Sequence, residues 1–213
     1  RYRAHDPALQ AFMREAAQLE AIAPDAMRAV FGRLDAAEQL ERLHAEHLVE
    51  SRDEGAGYRF PPYARAFLQA EARRVDPAPI RAGWQARAAA YFEAAERPDL
   101  ALQHRLAAED WKAAAALLAQ VAPALRFSGR HAALAQRLAA FPAAIADAEP
   151  ALLLLRGHAL AREGRTQEAG ACYTRARAAY AAAGDAAGEV KALVRQAYGA
   201  LVAHDLAAAG PLL

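Results

Sequence analysis

Cysteine and lysine are nearly missing from this 213-residue sequence: Cys172 stands alone, and Lys112 and Lys191 are its two lysines. A single thiol excludes an internal disulfide and fits the reducing conditions of the cytoplasm. Arginine supplies almost all of the 26 basic residues, which are interspersed with 25 acidic ones for a net charge of +1. No basic block gathers on one stretch, so direct nucleic-acid contact is not expected. Apolar runs stop well short of the roughly 20 residues a membrane span needs, and no secretory signal pattern opens the chain. The sequence has no G-x-x-x-x-G-K-[ST] loop to cradle a nucleotide and no Ser-His-Asp order or paired-carboxylate signature. Neither catalysis nor a cofactor or metal is expected of these residues.

What the chain has in excess is alanine, 64 residues of it, with few β-branched residues and two tryptophans. Alanine is the strongest helix former, so the composition predicts a mainly α chain whose helices pack at close range. A GC-rich genome accounts for the alanine and arginine biases together. The chain begins at Arg1 rather than methionine and stops partway through a hairpin. Both features give the expectation of a piece of a longer polypeptide.

Two regions separate at Val75-Asp76-Pro77-Ala78-Pro79, where two prolines in three residues stop one helix and start another. Before this point the pattern predicts helices over 7–18, 24–31 and 35–46, then an alternating strand at 48–52. A turn at 53–57 leads to a returning strand at 58–60 and a helix at 63–74. Helix, helix, helix, hairpin, helix is the order of a winged-helix domain, placed at residues 1–75 with a linker at 76–79. Residues 80–213 read as paired helices with short turns at 96–99, 109–110, 128–130, 163–165 and 203–205. Pro123 lies inside the run 111–127 and is expected to kink or break that helix.

The clearest pair spans residues 151–180. Leu153, Gly157 and Leu160 step by four and three, so they share a face; Ala169, Tyr173, Ala176 and Tyr180 do the same on the second helix. Gly164 sits where a helix end favours a left-handed residue. Gly157, lacking a side chain, lets Tyr173 lie against the backbone. Forty residues on, Leu193, Ala197 and Ala200 take the places of Leu153, Gly157 and Leu160. His204 replaces Gly164, and Ala209 and Leu213 match Ala169 and Tyr173. Such a period predicts stacked helical hairpins.

The positions Leu153, Gly157, Leu160, Gly164, Ala169, Tyr173 and Ala176 resemble a tetratricopeptide repeat. The runs from Leu102 to Leu118, including Glu109-Asp110-Trp111-Lys112, and from Phe141-Pro142 to Arg156-Gly157 are similar to the MalT-like, large LuxR-family transcriptional regulators of the STAND class. The resemblance implies a winged-helix relay region followed by the beginning of a tetratricopeptide-like sensor, an α-α superhelix. It also implies that a full-length parent carries an ATP- or ADP-binding P-loop module and a DNA-binding helix-turn-helix. In such relatives a histidine before a proline, after the second strand, faces the bound diphosphate. Here Pro61 stands in the place of that histidine and Pro62 keeps the proline. Proline has no side-chain donor, so Pro61 would be a degenerate nucleotide-sensor position. The same pair has a purely local reading as a strand stop and helix start.

The first helix of each tetratricopeptide-like hairpin faces the concave side, which maps Leu154, His158, Arg162, Val194, Tyr198 and Val202 onto a candidate groove. A cation, an imidazole and a phenol among aliphatic residues would suit a small-molecule inducer, anionic or polar, or a regulatory protein's extended segment. The competing reading is a solvated face without a specific ligand. Other residues read as structural. His44 and His47 lack a third metal ligand. Cys172 has no basic neighbour in its N-terminal turn and reads as packing. Trp84, Tyr91, Phe92 and Trp111 read as core. The helix at 35–46 carries Asp35, Glu38, Glu41 and Glu46 against Arg42, a charge balance that phosphates would repel. The sequence therefore reads as the sensing and relay portion of a regulator, with a stand-alone repeat adaptor as the alternative.

Overall fold

In the computed structural model, residues 2–51 and 57–202 are described, with side chains through residue 201. The chain is mainly helical and divides into two compact units, one ending at Glu109 and the other beginning at Asp110. No helix among the described residues is long and apolar enough to cross a membrane.

The first unit opens with α1 (Pro7–Ala16), α2 (Pro24–Phe31) and α3 (Ala36–Ala45). Asp6 caps α1, its carboxylate accepting from the Leu9 amide at 2.9 Å, and Pro7 occupies a position where no N–H is needed. Leu9, Phe12, Met13 and Ala16 then fall on one buried face. Gly32, at φ 72°, closes α2 in the left-handed conformation that glycine adopts at least cost. His47 takes the same role after α3 at φ 56°, with the Leu48 amide reaching back to the Leu43 carbonyl at 2.9 Å.

Strand β1 (Glu50–Ser51) pairs antiparallel with β2 (Tyr58–Arg59), Glu50 opposite Arg59 and Ser51 opposite Tyr58. Among the described residues the ladder is shorter than the alternation in the sequence predicts, since residues 48, 49 and 60 stay outside it. It gains a third member that the sequence does not announce: Ile22, between α1 and α2, exchanges two 2.8 Å backbone bonds with Tyr58. Gly57, at φ 93°, is required here, because a Cβ would fall 2.5 Å from the Ile22 carbonyl oxygen. Of the predicted turn, residues 53–56 lie outside the described residues. Helix α4 (Pro62–Val75) follows, with Pro61 as its N-cap and Pro62 as its first residue, as their local reading required. Phe12, Ile22, Met27, Leu40, Leu43 and Leu68 make up much of the unit's core, all nearly solvent-free.

Asp76, in the expected linker, is tied down. Arg14 on α1 grips its carboxylate through two bonds of 2.8 and 3.2 Å, and also donates to the Tyr2 hydroxyl at 2.8 Å. Helix α5 (Ala78–Ala94) packs on α2, where Trp84 meets Phe31 edge to face at 5.8 Å and Arg87 donates to the Val30 carbonyl. It forms a hairpin with α6 (Pro98–Ala107). His104 of α6 is buried and stacks on Phe92, while its Nδ1 lies 2.7 Å from the Gln85 side-chain oxygen. Gln85 donates in turn to Gln18, and Gln18 to the Arg14 carbonyl.

The second unit contains α7 (Trp111–Phe127), α8 (His131–Ala139), α9 (Ala143–Ala148), α10 (Pro150–Arg162), α11 (Thr166–Ala182) and α12 (Ala186–Val202). Pro123 does not break α7, which stays helical from Trp111 to Phe127. The proline is solvent-facing, so the Ala119 carbonyl that loses its amide partner can turn toward water. Gly129, Gly164 and Gly184 all take positive φ at the turns after α7, α10 and α11. The pairs α10–α11 and α11–α12 share the most extensive contacts in this unit among the described residues. Gly157 and Tyr173 meet as the spacing predicts: a Cβ on Gly157 would sit 2.7 Å from Tyr173 Cδ1. Gly188 repeats the arrangement against Tyr180, at 2.6 Å from Cγ. His204, Ala209 and Leu213 lie outside the described residues.

Candidate functional site

Three of the six candidate groove residues line one cleft. Leu154 turns into the packing, touching the cluster of Leu160, Ala169, Cys172 and Tyr173 and a second one of Leu153, Ala176 and Ala192. Val194 is exposed, and the Val202 side chain lies outside the described residues. His158, Arg162 and Tyr198 do converge, on a cleft of about 670 Å³ walled by α7, α8, α10 and α12, with Tyr173 at its base.

The cleft adds residues that sequence reasoning missed. Arg126 and Phe127 come from the last turn of α7, His131 from the first turn of α8, and Arg195 from α12. Arg195 and Tyr198, three apart, form a ridge one residue round from the mapped Val194–Tyr198 stripe. Arg126 is brought to His158 across 32 residues of sequence by the α7–α10 contact, for which no local pattern exists.

Arg126 Nη1 donates to His158 Nδ1 at 3.2 Å. A guanidinium only donates, so Nδ1 must be an acceptor and the ring proton sits on Nε2. That Nε2 is buried and has no hydrogen-bond partner among the described residues. Burial, reinforced by the charges of Arg126 and Arg195, holds the His158 pKa down to about 4, so the ring is neutral near pH 7. Its edge meets Tyr173 at 5.7 Å. Burial pushes the Tyr173 phenol up as well.

None of Arg126, Arg162 and Arg195 forms an ion pair among the described residues. Many arginines elsewhere do, as Arg33 with Glu15 at 2.6 Å and Arg177 with Glu189 at 3.3 Å show. Glu163, the one carboxylate lining the cleft among the described residues, lies 3.4 Å from Arg165. Phe127 is 97% exposed and Tyr198 62%, so two aromatic faces stand bare at the same opening.

The other candidates are placed plainly. Pro61 is a helix cap, as described. His44 contacts the Val49 carbonyl at 3.3 Å and the Tyr58 ring at 5.5 Å, and no three His, Cys, Asp or Glu among the described residues form a metal-holding group. Cys172 is buried, and burial raises its thiol pKa. On α3, Glu38 and Glu41 are exposed, and Arg42 is drawn toward Glu46 and Asp6.

Three helices, a short antiparallel ladder and a fourth helix define the N-terminal region as a winged helix. Residues 2–80 match the family model of the MalT winged helix domain, so this region is MalT-like. Comparison of the chain with curated proteins and with solved structures finds no match.

Proposed function

We propose that the chain is the signal-sensing and relay portion of a STAND-type, LuxR-family transcriptional regulator. Its helical hairpins are a tetratricopeptide-like sensor for an inducer or regulatory protein, and its winged helix is a relay module rather than a DNA reader. The role is binding, not catalysis: occupancy of the sensor would bias the balance between resting and active states of a larger molecule. One observation carries the reading. A MalT-like winged helix is followed in the same chain by stacked helical hairpins bearing a polar cleft. The acidic surface of α3 supports a relay over direct DNA contact.

The test is the reading frame that encodes the chain. A P-loop motif upstream of Arg1 and a basic helix-turn-helix downstream of Leu213 are expected; a frame containing neither overturns the regulator. A second reading, a stand-alone repeat adaptor without nucleotide control, is favoured by Pro61, which offers no imidazole to a diphosphate. In a parent carrying the ATPase, Pro61→His should slow nucleotide release. Equal release from both forms rejects the lost-sensor idea.

A further inference from the structure

The α7–α8–α10–α12 cleft is unusual in how its charge is arranged. Three arginines line one space, none paired with a carboxylate among the described residues, while Glu163, which also lines it, lies 3.4 Å from Arg165, whose closer partner is Glu168 at 2.6 Å. Like charges facing one space repel, modestly here because Arg162 is exposed and Arg126 and Arg195 are half-buried, and apart from the Arg126–His158 bond their N–H groups have no partner among the described residues. His131 opens α8, so the positive end of that helix adds to the same field. His158 walls the same space; its Nε2–H, shut off from solvent, has no acceptor among the described residues. The volume, about 670 Å³, is that of a small-molecule site. Beside the cations, Phe127 and Tyr198 present aromatic surface to solvent.

We propose that this cleft binds a small organic anion, with a carboxylate or phosphate head held by Arg126, Arg162 and Arg195 and an apolar or aromatic body lying against Phe127 and Tyr198. Guanidinium groups suit both heads, since their paired N–H donors match two oxygens of either. The aromatic rim excludes a bare inorganic ion as the preferred occupant, because such an ion would leave that surface wet. The inference takes its biological meaning from the sensor reading, but the chemistry of the cleft stands by itself.

The experiment is calorimetric titration of the 213-residue chain with phenyl phosphate, benzoate, inorganic phosphate and neutral benzyl alcohol. Phenyl phosphate, benzoate or both are expected to bind, with inorganic phosphate and benzyl alcohol about tenfold weaker or worse. The order of the two aryl anions distinguishes a phosphate from a carboxylate head. Arg195→Gln and the solvent-facing Arg162→Gln should each weaken the aryl anion about tenfold while far-ultraviolet circular dichroism stays unchanged. Arg126→Lys, which keeps the charge but loses the fork, guards against a folding defect in bulkier changes at that position. Failure of both aryl anions to bind overturns the proposal, as does equal binding by the arginine variants or by benzyl alcohol. Tight binding of benzyl alcohol alone would leave a sensor of neutral ligands standing. A reading frame without P-loop and helix-turn-helix would remove the regulator and leave the anion site intact.

Discussion

The ring of Tyr173 occupies the space in which a side chain at Gly157 would begin. This contact joins α10 to α11, and the Gly188–Tyr180 contact joins α11 to α12 by the same device. Two helices can approach this closely only where one of them offers bare backbone.

Gly157→Leu should therefore destabilise the second unit by about 1–3 kcal/mol through overpacking. Thermal unfolding checks it, and an unchanged midpoint would sink the nesting of the two helices. In a Tyr173→Ala background the same substitution should cost much less, because the obstructing ring is gone. A double-mutant cycle reads that coupling directly.

Glu96 and Glu109 take φ values of 54° and 58° at the turns flanking α6, a conformation that strains a residue with a Cβ. Changing either to glycine should raise stability by about 0.5–1 kcal/mol, the relief of strain exceeding glycine's entropic cost. Gly164→Ala, at φ 78°, should lose about 1 kcal/mol by the same reasoning. Chemical denaturation of the three variants tests the set, and a loss of stability in both glutamate variants would refute it.

Stability should fall as pH drops from about 6.5 to about 4. His104 is held neutral with a pKa near 4 by burial and by Arg65, against the opposing pull of Glu20; His158 is held near 4 by burial, Arg126 and Arg195. Unfolded histidines protonate near 6.5, so in this window the unfolded chain binds more protons and acid favours it. Urea midpoints measured across the range should show a slope that shrinks in His104→Gln. An unchanged slope would mean that this histidine is solvated rather than shut in.

Asp76→Asn should destabilise the first unit by about 3 kcal/mol, since it leaves the Arg14 guanidinium largely enclosed without its counter-charge. If the melting point shifts by less than a degree, Asp76 is an ordinary surface residue.

The winged-helix order was legible because three of its helices carry local punctuation: Asp6-Pro7, Pro24 with Gly32, and Pro61-Pro62 mark ends that need no tertiary context. Gly157 and Tyr173 were legible for a similar reason, their periodicity alone placing them on facing sides. Ile22 as a ladder member was not, since one residue between two helices has no alternation to show. Of the kink or break expected at Pro123, the break does not occur, because a solvent-facing proline leaves its orphaned carbonyl access to water. The cleft was half legible. His158, Arg162 and Tyr198 follow from helical phase, but Arg126 reaches His158 through a helix–helix crossing, and small offsets in phase exchange Val194 for Arg195.

Pro123 carries a consequence for the wall of that cleft. Without its amide, the closing turn of α7, which bears Arg126 and Phe127, is fastened to the preceding turn by one strut fewer than the rest of the helix. That seam is therefore the weakest link along the rod, the place where backbone amide exchange in α7 should begin.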